Sequence, residues 1–285
     1  MTAEIISGKD IAEKLLETKL IPRVKALNEQ NIYPRLVVIL VGNHAASASY
    51  VKNKEKLAEK AGILAETWRY EDDISEAEIL DAIEQVNQDP SIHGLIVQLP
   101  LPDHISVEKV LAAINPTKDV DGFSVNNIGE LFLGHQTLQC CTPKGIITMI
   151  EESGQTLEGK NVTVIGRSNI VGKPVSILAL NKGATVTTCH SRTKNLNKHL
   201  ENADIIIVAV GRPEFLQGDQ IPRGATVIDV GIHRKDDGKL CGDVHFPSAS
   251  QKAGKISPVP GGVGPMTVYS LIENTIEAAE NSIKG

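Results

Sequence analysis

Short apolar runs alternate along the chain with stretches of helical periodicity. The run Arg35–Val41 (RLVVILV) predicts a buried strand, and a helix from about Ala45 to Ala61 follows it and ends at Gly62. The same alternation continues with strands near Glu66–Tyr70 and His93–Gln98 and with helices after Ser75 and over Val107–Ile114. Strands that alternate with helices indicate βαβ units and a parallel sheet.

A second series follows the segment Asn115–Thr142, which is rich in Pro, Gly and Asn and shows little periodicity. Pro143 is expected at the first position of a helix. Further strands are predicted at Asn161–Ile165, Ala184–Thr188, Asp204–Val210 and Ala225–Val230. The segment Pro258–Pro265 (PVPGGVGP) is incompatible with regular structure, and Met266–Ile283 is predicted to be one closing helix. The fold class is therefore α/β, with two domains.

Composition argues against several classes of function. The net charge is -6 and no dense Lys/Arg stripe is present, so nucleic acid is not expected as a partner. No apolar run approaches the ~20 residues of a membrane span, and Met1–Leu20 has the pattern of an amphipathic helix rather than a signal peptide. We therefore expect a cytoplasmic protein. The 4 cysteines form no C-x-x-C pair and the 8 histidines no H-E-x-x-H motif, so we expect reduced, mostly buried thiols and no metal site.

The segment Val162–Pro174 (VTVIGRSNIVGKP) predicts a strand, a short turn and a helix. Such a turn can present backbone N–H groups and the helix dipole to a phosphate. It departs from G-x-G-x-x-G, because Arg167 and Ser168 follow Gly166 where that motif has one residue and a second glycine. Alone, the pattern is equally compatible with an ordinary turn between a strand and a helix.

The end of the next strand favours NADP over NAD. An NAD site usually has Asp or Glu there to bind the ribose 2′-hydroxyl. This chain instead has Cys189, His190, Ser191, Arg192 and Thr193. A 2′-phosphate would be repelled by a carboxylate and bound by Arg and Ser donors. The alternative is that Arg192 is simply a solvated side chain.

A helix in the first half of the chain carries a candidate chemical group. Ser47, Tyr50 and Lys54 are spaced by three and four residues, which places them on one helix face. A Tyr–Lys pair at this spacing can shift the pKa of either side chain and serve acid–base chemistry. The helix contains three other lysines, however, so Lys54 is equally explained as one more solvated charge.

Two further segments add polar groups. Gln98 ends a predicted strand, and the carboxyl ends of strands in open α/β sheets are where ligands bind. Lys118–Phe123 (KDVDGF) places two carboxylates and a glycine in a loop, where Asp121 could accept the paired N–H donors of an aminopyrimidine. A solvated loop acid is the ordinary alternative. In the segment Pro258–Pro265 the prolines fix φ and the glycines lack a Cβ, so the loop is rigid and can lie close against a planar ligand.

Together these strings resemble the bifunctional methylenetetrahydrofolate dehydrogenase/cyclohydrolase family over nearly the whole chain. The strings that carry the resemblance are SASYVKNK (47–54), VQLPLP (97–102), KDVDGF (118–123), CTPKG (141–145), GRSNIVGKP (166–174), HSRT (190–193), DVGI (229–232), GDV (242–244) and PVPGGVGPMT (258–267). Two small departures are Cys140, where relatives often have proline, and Ser257, where they often have threonine.

The resemblance implies two α/β domains flanking a cleft, a homodimer formed through the nucleotide domains, and a tetrahydrofolate substrate. The first domain would comprise residues 1–138 with the returning helix 266–285, and would bind folate and carry out catalysis. The second, residues 139–265, would be a Rossmann-like doubly wound parallel sheet that binds NADP. The expected activities are oxidation of 5,10-methylenetetrahydrofolate and hydrolysis of the product to 10-formyltetrahydrofolate.

The resemblance also implies roles for individual residues. Lys54 would be the catalytic lysine, Tyr50 would stack on the folate, and Gln98 would hydrogen-bond the lysine. Asp121 would anchor the pterin ring. The remaining implied substrate contacts are Val97, Leu99, Pro260, Gly261, Gly262, Val263 and Gly264, and the implied NADP contacts are Gly166, Arg167, Ser168, Ser191 and Ile232.

Two other interpretations compete with this one. A short-chain-type NADP oxidoreductase would account for Tyr50-x-x-x-Lys54, but in that class the pair follows the glycine turn, whereas here it comes more than a hundred residues before Gly166. A non-catalytic nucleotide-binding protein would account for the turn at Gly166 alone.

Overall fold

The alternation of strands and helices is present throughout the computed structural model, which describes residues 2–42 and 45–283 and, for residues 45–50, the backbone alone. The strands are β1 (Glu4–Ile5), β2 (Arg35–Val41), β3 (Leu64–Tyr70), β4 (Gly94–Val97), β5 (Asn161–Ile165), β6 (Thr185–Cys189), β7 (Ile205–Val208), β8 (Thr226–Asp229), β9 (His233–Arg234), β10 (Leu240–Cys241) and β11 (Lys255–Ile256). The helices are α1 (Gly8–Leu15), α2 (Ile21–Asn28), α3 (Ala45–Ala61), α4 (Glu76–Gln88), α5 (Val107–Ala113), α6 (Val125–Leu133), α7 (Cys141–Glu152), α8 (Gly172–Asn181), α9 (Leu196–Leu200), α10 (Phe246–Ala249) and α11 (Val263–Asn281). A π-helical turn, Leu16–Leu20, joins α1 to α2, and a 3-10 turn occupies Gly218–Gln220.

The chain divides into two compact units. The first unit comprises residues 14–141 and 268–285, and the second comprises residues 1–13 and 142–267. The expectation had placed residues 1–13 in the first domain. Their backbone places them in the second unit, because β1 pairs in parallel with β11 through Glu4 and Lys255.

The first unit is built on a parallel sheet of strand order β3-β2-β4. The central strand β2 is fully buried after Arg35, as its unbroken apolar sequence predicts for a strand covered on both faces. The chain segment after α5 extends this sheet through a parallel bridge between Leu95 and Asp119. The core on one side of the sheet includes Val37, Ile39, Ile79, Ile83, Leu95 and Val110.

The second unit contains a six-stranded sheet of order β1-β11-β8-β7-β5-β6, in which every pair is parallel. Strand β5 has β6 on one side and β7 on the other, so the direction of winding reverses at its carboxyl end. That reversal is where ligands bind in open α/β sheets. The fold class predicted from the alternation is confirmed: the chain is α/β with two domains, the second a Rossmann-like parallel sheet.

Some local predictions were wrong. The segment Asn115–Thr142 contains α6, which Ser124 caps by accepting a hydrogen bond from the N–H of Asn127. Helix α11 begins at Val263, within the segment expected to lack regular structure. Helix α7 begins at Cys141, two residues before Pro143. Residues 2–20, the described part of the segment predicted as one helix, contain β1, α1 and a π-helical turn instead. None of the helices in the described residues is both long and apolar enough to cross a bilayer.

Candidate active site

Lys54 and Gln98 meet at the carboxyl edge of the three-stranded sheet of the first unit. Lys54 lies on α3, which follows β2, and Gln98 comes directly after β4. Lys54 is only 8% exposed, and its Nζ donates to Oε1 of Gln98 at 3.0 Å. Gln98 in turn donates from Nε2 to the carbonyl of Leu99 at 2.8 Å, which fixes the orientation of its amide. The interpretation of Lys54 as one more solvated helix charge is therefore wrong.

Of the other residues predicted at this edge of the sheet, the structure describes the side chains of some and not of others. Val97 is buried at the end of β4, and Leu99 is half-buried. The side chains of Ser47 and Tyr50 lie outside the described part of the structure, although the backbone there is helical.

Asp121 lies in a loop that a second carboxylate shapes. Asp119 is 2% exposed and accepts hydrogen bonds from the N–H of Gly122 at 3.0 Å and of Ser124 at 2.7 Å, and from Nδ2 of Asn127 at 3.1 Å. Gly122 has a φ of 76°, and a Cβ there would lie 2.5 Å from the carbonyl carbon of Gln139, so only glycine fits. The tight turn presents Asp121 between two anchored neighbours.

The electrostatics of Asp121 link it to Lys54. Burial raises the pKa of the Asp121 carboxyl, and the nearby positive charge of Lys54 acts in the opposite direction. The negative charge of Asp119 adds to the rise. Lys54 thus hydrogen-bonds Gln98 and lies within electrostatic reach of Asp121, all in the first unit.

The cysteines beside this loop are free and buried. Cys140 donates from Sγ to the carbonyl of Gly122 at 2.9 Å, and Cys141 donates to the carbonyl of Val120 at 3.1 Å. Burial raises the pKa of the Cys140 thiol far above its ordinary value, so this thiol stays protonated as a donor. No group of three or more His, Cys, Asp or Glu side chains within the described residues is arranged to hold a metal ion.

The glycine-rich loop before α11 belongs to the second unit. Gly261 has a φ of 96°, and its carbonyl accepts from the N–H of Lys9 at 3.0 Å. A Cβ on Gly262 would lie 2.4 Å from the carbonyl oxygen of Pro258. The predicted contact residues in this stretch therefore split into a turn, Pro260 to Gly262, and the first helical residues, Val263 and Gly264. Val263 is buried, whereas a Cβ on Gly264 would have open space around it, with no atom of another part of the described chain within 4 Å.

The turn between β5 and α8 is held by its own serine. Gly166 has a φ of 136°, and a Cβ on Gly172 would lie 2.3 Å from the carbonyl oxygen of Gly166, so both glycines are needed for the tight turn. Ser168 Oγ accepts from the N–H groups of Val171 and Gly172 at 3.2 and 3.3 Å, and the Ser168 carbonyl accepts from Lys173. The sequence indicated that a turn of this kind can present backbone N–H groups to a phosphate, without specifying which ones; here the N–H groups of Val171, Gly172 and Lys173 have other acceptors. They are bonded within the turn, which leaves the exposed side chain of Arg167 beside it.

The end of β6 lies next to this turn. The N–H of Gly166 donates to the carbonyl of Cys189 at 2.9 Å, so the residues after both strands emerge side by side. The loop after β6 is closed by hydrogen bonds from the His190 N–H to Thr193 Oγ1 and from the Arg192 N–H to His190 Nδ1. Ser191 and Arg192 are left exposed, as a site for a 2′-phosphate requires.

Ile232 follows β8 and is 52% exposed beside a buried acid. Asp243 is fully buried and accepts from three consecutive N–H groups, those of Val210, Gly211 and Arg212, at 2.6, 3.0 and 2.9 Å. His233 Nε2 contacts the same carboxylate at 2.7 Å. The loops after β7 and β8 are therefore tied to a single side chain.

A second buried acid, Asp229, accepts from the N–H groups of Gly231, Asp243 and Val244 at 2.9 to 3.0 Å. Burial raises its pKa to about 6 despite these bonds. Sequence reasoning assigned no role to Asp119, Asn127, Asp229 or Asp243. The three acids could have been found from the sequence, because each stands within three residues of a glycine in or beside a loop.

The two halves of the chain match the two domains of one protein family. Residues 6–121 match the tetrahydrofolate dehydrogenase/cyclohydrolase catalytic domain, and residues 140–283 match the NAD(P)-binding domain of the same proteins. The chain belongs to the tetrahydrofolate dehydrogenase/cyclohydrolase family. The resemblance inferred from the sequence motifs is thereby confirmed.

Relatives in this family match over their full lengths. The bifunctional protein FolD of Bacillus subtilis is 51% identical over 283 residues, which cover 99% of this chain and 100% of the relative. The crystal structure of the FolD enzyme of Campylobacter jejuni has 44% identity and a TM-score of 0.95, covering 98% of this chain and 99% of that one. The Trypanosoma brucei enzyme, solved with NADP and an inhibitor, has 33% identity and a TM-score of 0.93 and covers 100% of both chains.

Proposed function

We propose that this chain oxidises 5,10-methylenetetrahydrofolate to 5,10-methenyltetrahydrofolate with NADP and then hydrolyses the product to 10-formyltetrahydrofolate. The observation that carries the proposal is the buried Lys54, hydrogen-bonded to Gln98 and close enough to Asp121 to affect its pKa, in a member of this family. The first unit would bind folate and carry out catalysis, and the second would bind NADP.

The second unit fits NADP by the chemistry of its exposed side chains. No acid occupies the end of β6, where an NAD enzyme usually has one, and Arg167, Ser191 and Arg192 are exposed at neighbouring strand ends. Gly166, Ser168 and Ile232 would complete the contacts. NADP supplies a hydride acceptor when it is bound.

The first unit would hold the folate in place for both reactions. The Asp121 carboxyl would accept the N–H donors of the pterin ring, since it lies in a loop shaped to present it. Val97 and Leu99 would flank the ligand beside Gln98, and Tyr50 would stack on it. The oxidation itself requires little proton transfer, so positioning is what these residues supply.

In the hydrolysis, water adds to the methenyl carbon and loses one proton, after which the bond between this carbon and N5 breaks and N5 takes up the remaining proton of the added hydroxyl group. Lys54 Nζ, in its neutral form, would take up the proton that the water loses, as a general base. Gln98 Oε1 accepts one Nζ hydrogen, which fixes the direction of the remaining Nζ positions. The two reactions thus share a site and differ in their need for Lys54.

The decisive experiment is a spectroscopic assay of methenyltetrahydrofolate formation with NADP and then with NAD, followed by its hydrolysis. Formation with NADP and subsequent decay support the proposal. Nucleotide binding without turnover would instead support a non-catalytic nucleotide-binding protein. Oxidation of simple alcohols without folate would support a short-chain-type oxidoreductase.

We further propose that the chain forms a homodimer through its second unit and acts in the cytoplasm. The edge strand β6 supports the first point, since among the described residues it pairs only with β5 and leaves its other side available. Sedimentation equilibrium tests the mass of the assembly, and charged substitutions of outward-facing residues of β6 test the interface.

A further inference from the structure

Three consecutive carbonyls around Asp121 are all bound by donors from elsewhere in the first unit. The carbonyl of Val120 accepts from Asn274 Nδ2 at 2.8 Å and from Cys141 Sγ at 3.1 Å. The Asp121 carbonyl accepts from the Cys141 N–H at 3.3 Å, and the Gly122 carbonyl accepts from Cys140 Sγ at 2.9 Å. The backbone that carries the Asp121 side chain is therefore held along its whole length.

Asn274 is the one member of this set that comes from a distant part of the chain, helix α11. Its side chain is fully buried, and its amide nitrogen donates to two carbonyls, those of Val120 and Gln139, at 2.8 Å each. An amide nitrogen has two hydrogens, so both are used to join the loop to the segment before α7. Asparagine is a poor helix former, and a buried amide is costly without partners.

We propose that Asn274 is a positioning residue for folate binding, which acts through Asp121. The amide sets the distance between the Val120–Gly122 segment and the Gln139–Cys141 segment, and thereby fixes where the Asp121 carboxyl lies. Asn274 itself would touch neither substrate nor cofactor. The inference rests on the proposed role of Asp121 as the folate anchor and adds a residue that stabilises it from the closing helix.

The test is substitution of Asn274 by leucine, which has similar size and no donor. The dissociation constant for tetrahydrofolate, measured by titration calorimetry, should rise about tenfold or more, and the KM for folate should rise in both reactions. The KM for NADP should stay within about twofold. Thr275→Val is the matched control, because Thr275 is also fully buried on α11 but, among the described residues, its hydroxyl bonds only to the carbonyl of Leu271 within the helix. The control should lose a similar amount of thermal stability and keep its folate affinity.

A double-mutant cycle separates this inference from the proposed function. Asp121→Ala should weaken folate binding. Adding Asn274→Leu to that variant should weaken it little further, because both substitutions remove the same interaction between the Asp121 carboxyl and folate. Additive losses, or a loss no greater than that of Thr275→Val, would overturn the positioning role. An Asp121→Ala variant that binds folate normally would instead refute the assigned role of Asp121, and the positioning role would be rejected with it. Should the leucine variant fail to fold, Asn274→Ala, which leaves space instead of crowding the site, carries the same test.

Discussion

Replacing Lys54 by methionine should separate the two activities of the shared site. Methionine keeps an unbranched chain of similar length, so the packing of a side chain that is 8% exposed is largely preserved. What is lost is the Nζ group that lies 3.0 Å from Gln98 Oε1. The unpaired amide oxygen costs about 1–3 kcal/mol of stability, which a folded enzyme can tolerate.

The catalytic loss should fall on hydrolysis. General acid–base catalysis contributes typically 10²–10⁴-fold, roughly 3–5 kcal/mol, so cyclohydrolase activity should drop by about that factor. Dehydrogenase activity should stay measurable, because hydride departure is driven by the nitrogen lone pair of the folate and needs positioning above all.

The assay follows NADPH formation for the oxidation and the decay of methenyltetrahydrofolate absorbance for the hydrolysis. Lys56→Met is the matched control, since Lys56 is an exposed lysine on the same helix and its replacement removes the same charge. Hydrolysis by Lys54→Met at the parental rate would refute the reasoning, and a loss of equal size in the control would show that net charge alone is responsible.

Three other substitutions have defined outcomes. Arg167→Ala should weaken NADP more than NAD by about 1.5–3 kcal/mol, the value of a charge-assisted hydrogen bond, and equal changes in the KM of both cofactors would contradict this. Asp121→Ala should raise the KM for folate in both reactions, and an unchanged folate affinity by titration would rule out the anchor. Burial raises the pKa of Asp229 from 3.8 to about 6, so the folded protein retains a proton there that the unfolded chain releases. The free energy of unfolding should therefore fall by up to about 3 kcal/mol between about pH 4 and pH 6 from this group. Denaturant unfolding at both pH values should show that the fall is smaller in Asp229→Asn, and an identical pH dependence would contradict the assignment.

The strands and long helices were predictable because their signals are local. Strand β2 and helix α3 match the predicted limits, since an apolar run and a helical period each specify a structure without reference to the rest of the chain. Ser75 begins α4 as a capping box with Glu78, which is the kind of start that the sequence alone reveals.

The elements that were missed either pair with a distant part of the chain or lack a single apolar helix face. Strand β1 exists because it pairs with β11 near the other end of the chain, and two residues carry no recognisable period. Helix α6 buries Asn127 while it exposes Val125, Phe132 and Leu133. The same helix also buries Leu131, so its apolar residues are divided between the buried and the exposed side and do not form the single apolar face on which a sequence-based prediction relies.

The candidate site divides in the same way. Lys54, Gln98 and Asp121 were identified from motifs, and two of them are directly hydrogen-bonded. Asn274 and Asp119 were not identified, because most of their partners are backbone groups that any sequence would supply. A residue whose role is to bind the main chain has no complementary side chain elsewhere that a motif could reveal.

Both units contain a buried carboxylate that accepts hydrogen bonds from more than one loop N–H group. Asp119 shapes the loop of Asp121, and Asp243 ties together the loops on either side of Ile232. A buried loop N–H must find an acceptor, and a carboxylate can accept several at once. The two acids of the KDVDGF string therefore have different functions although they stand two residues apart. Loss of folate binding alone does not distinguish them, because collapse of the loop also removes the anchor. A simultaneous loss of folded stability does, since the Asp119 side chain accepts from the buried N–H of Ser124, and removing it leaves that N–H without this acceptor.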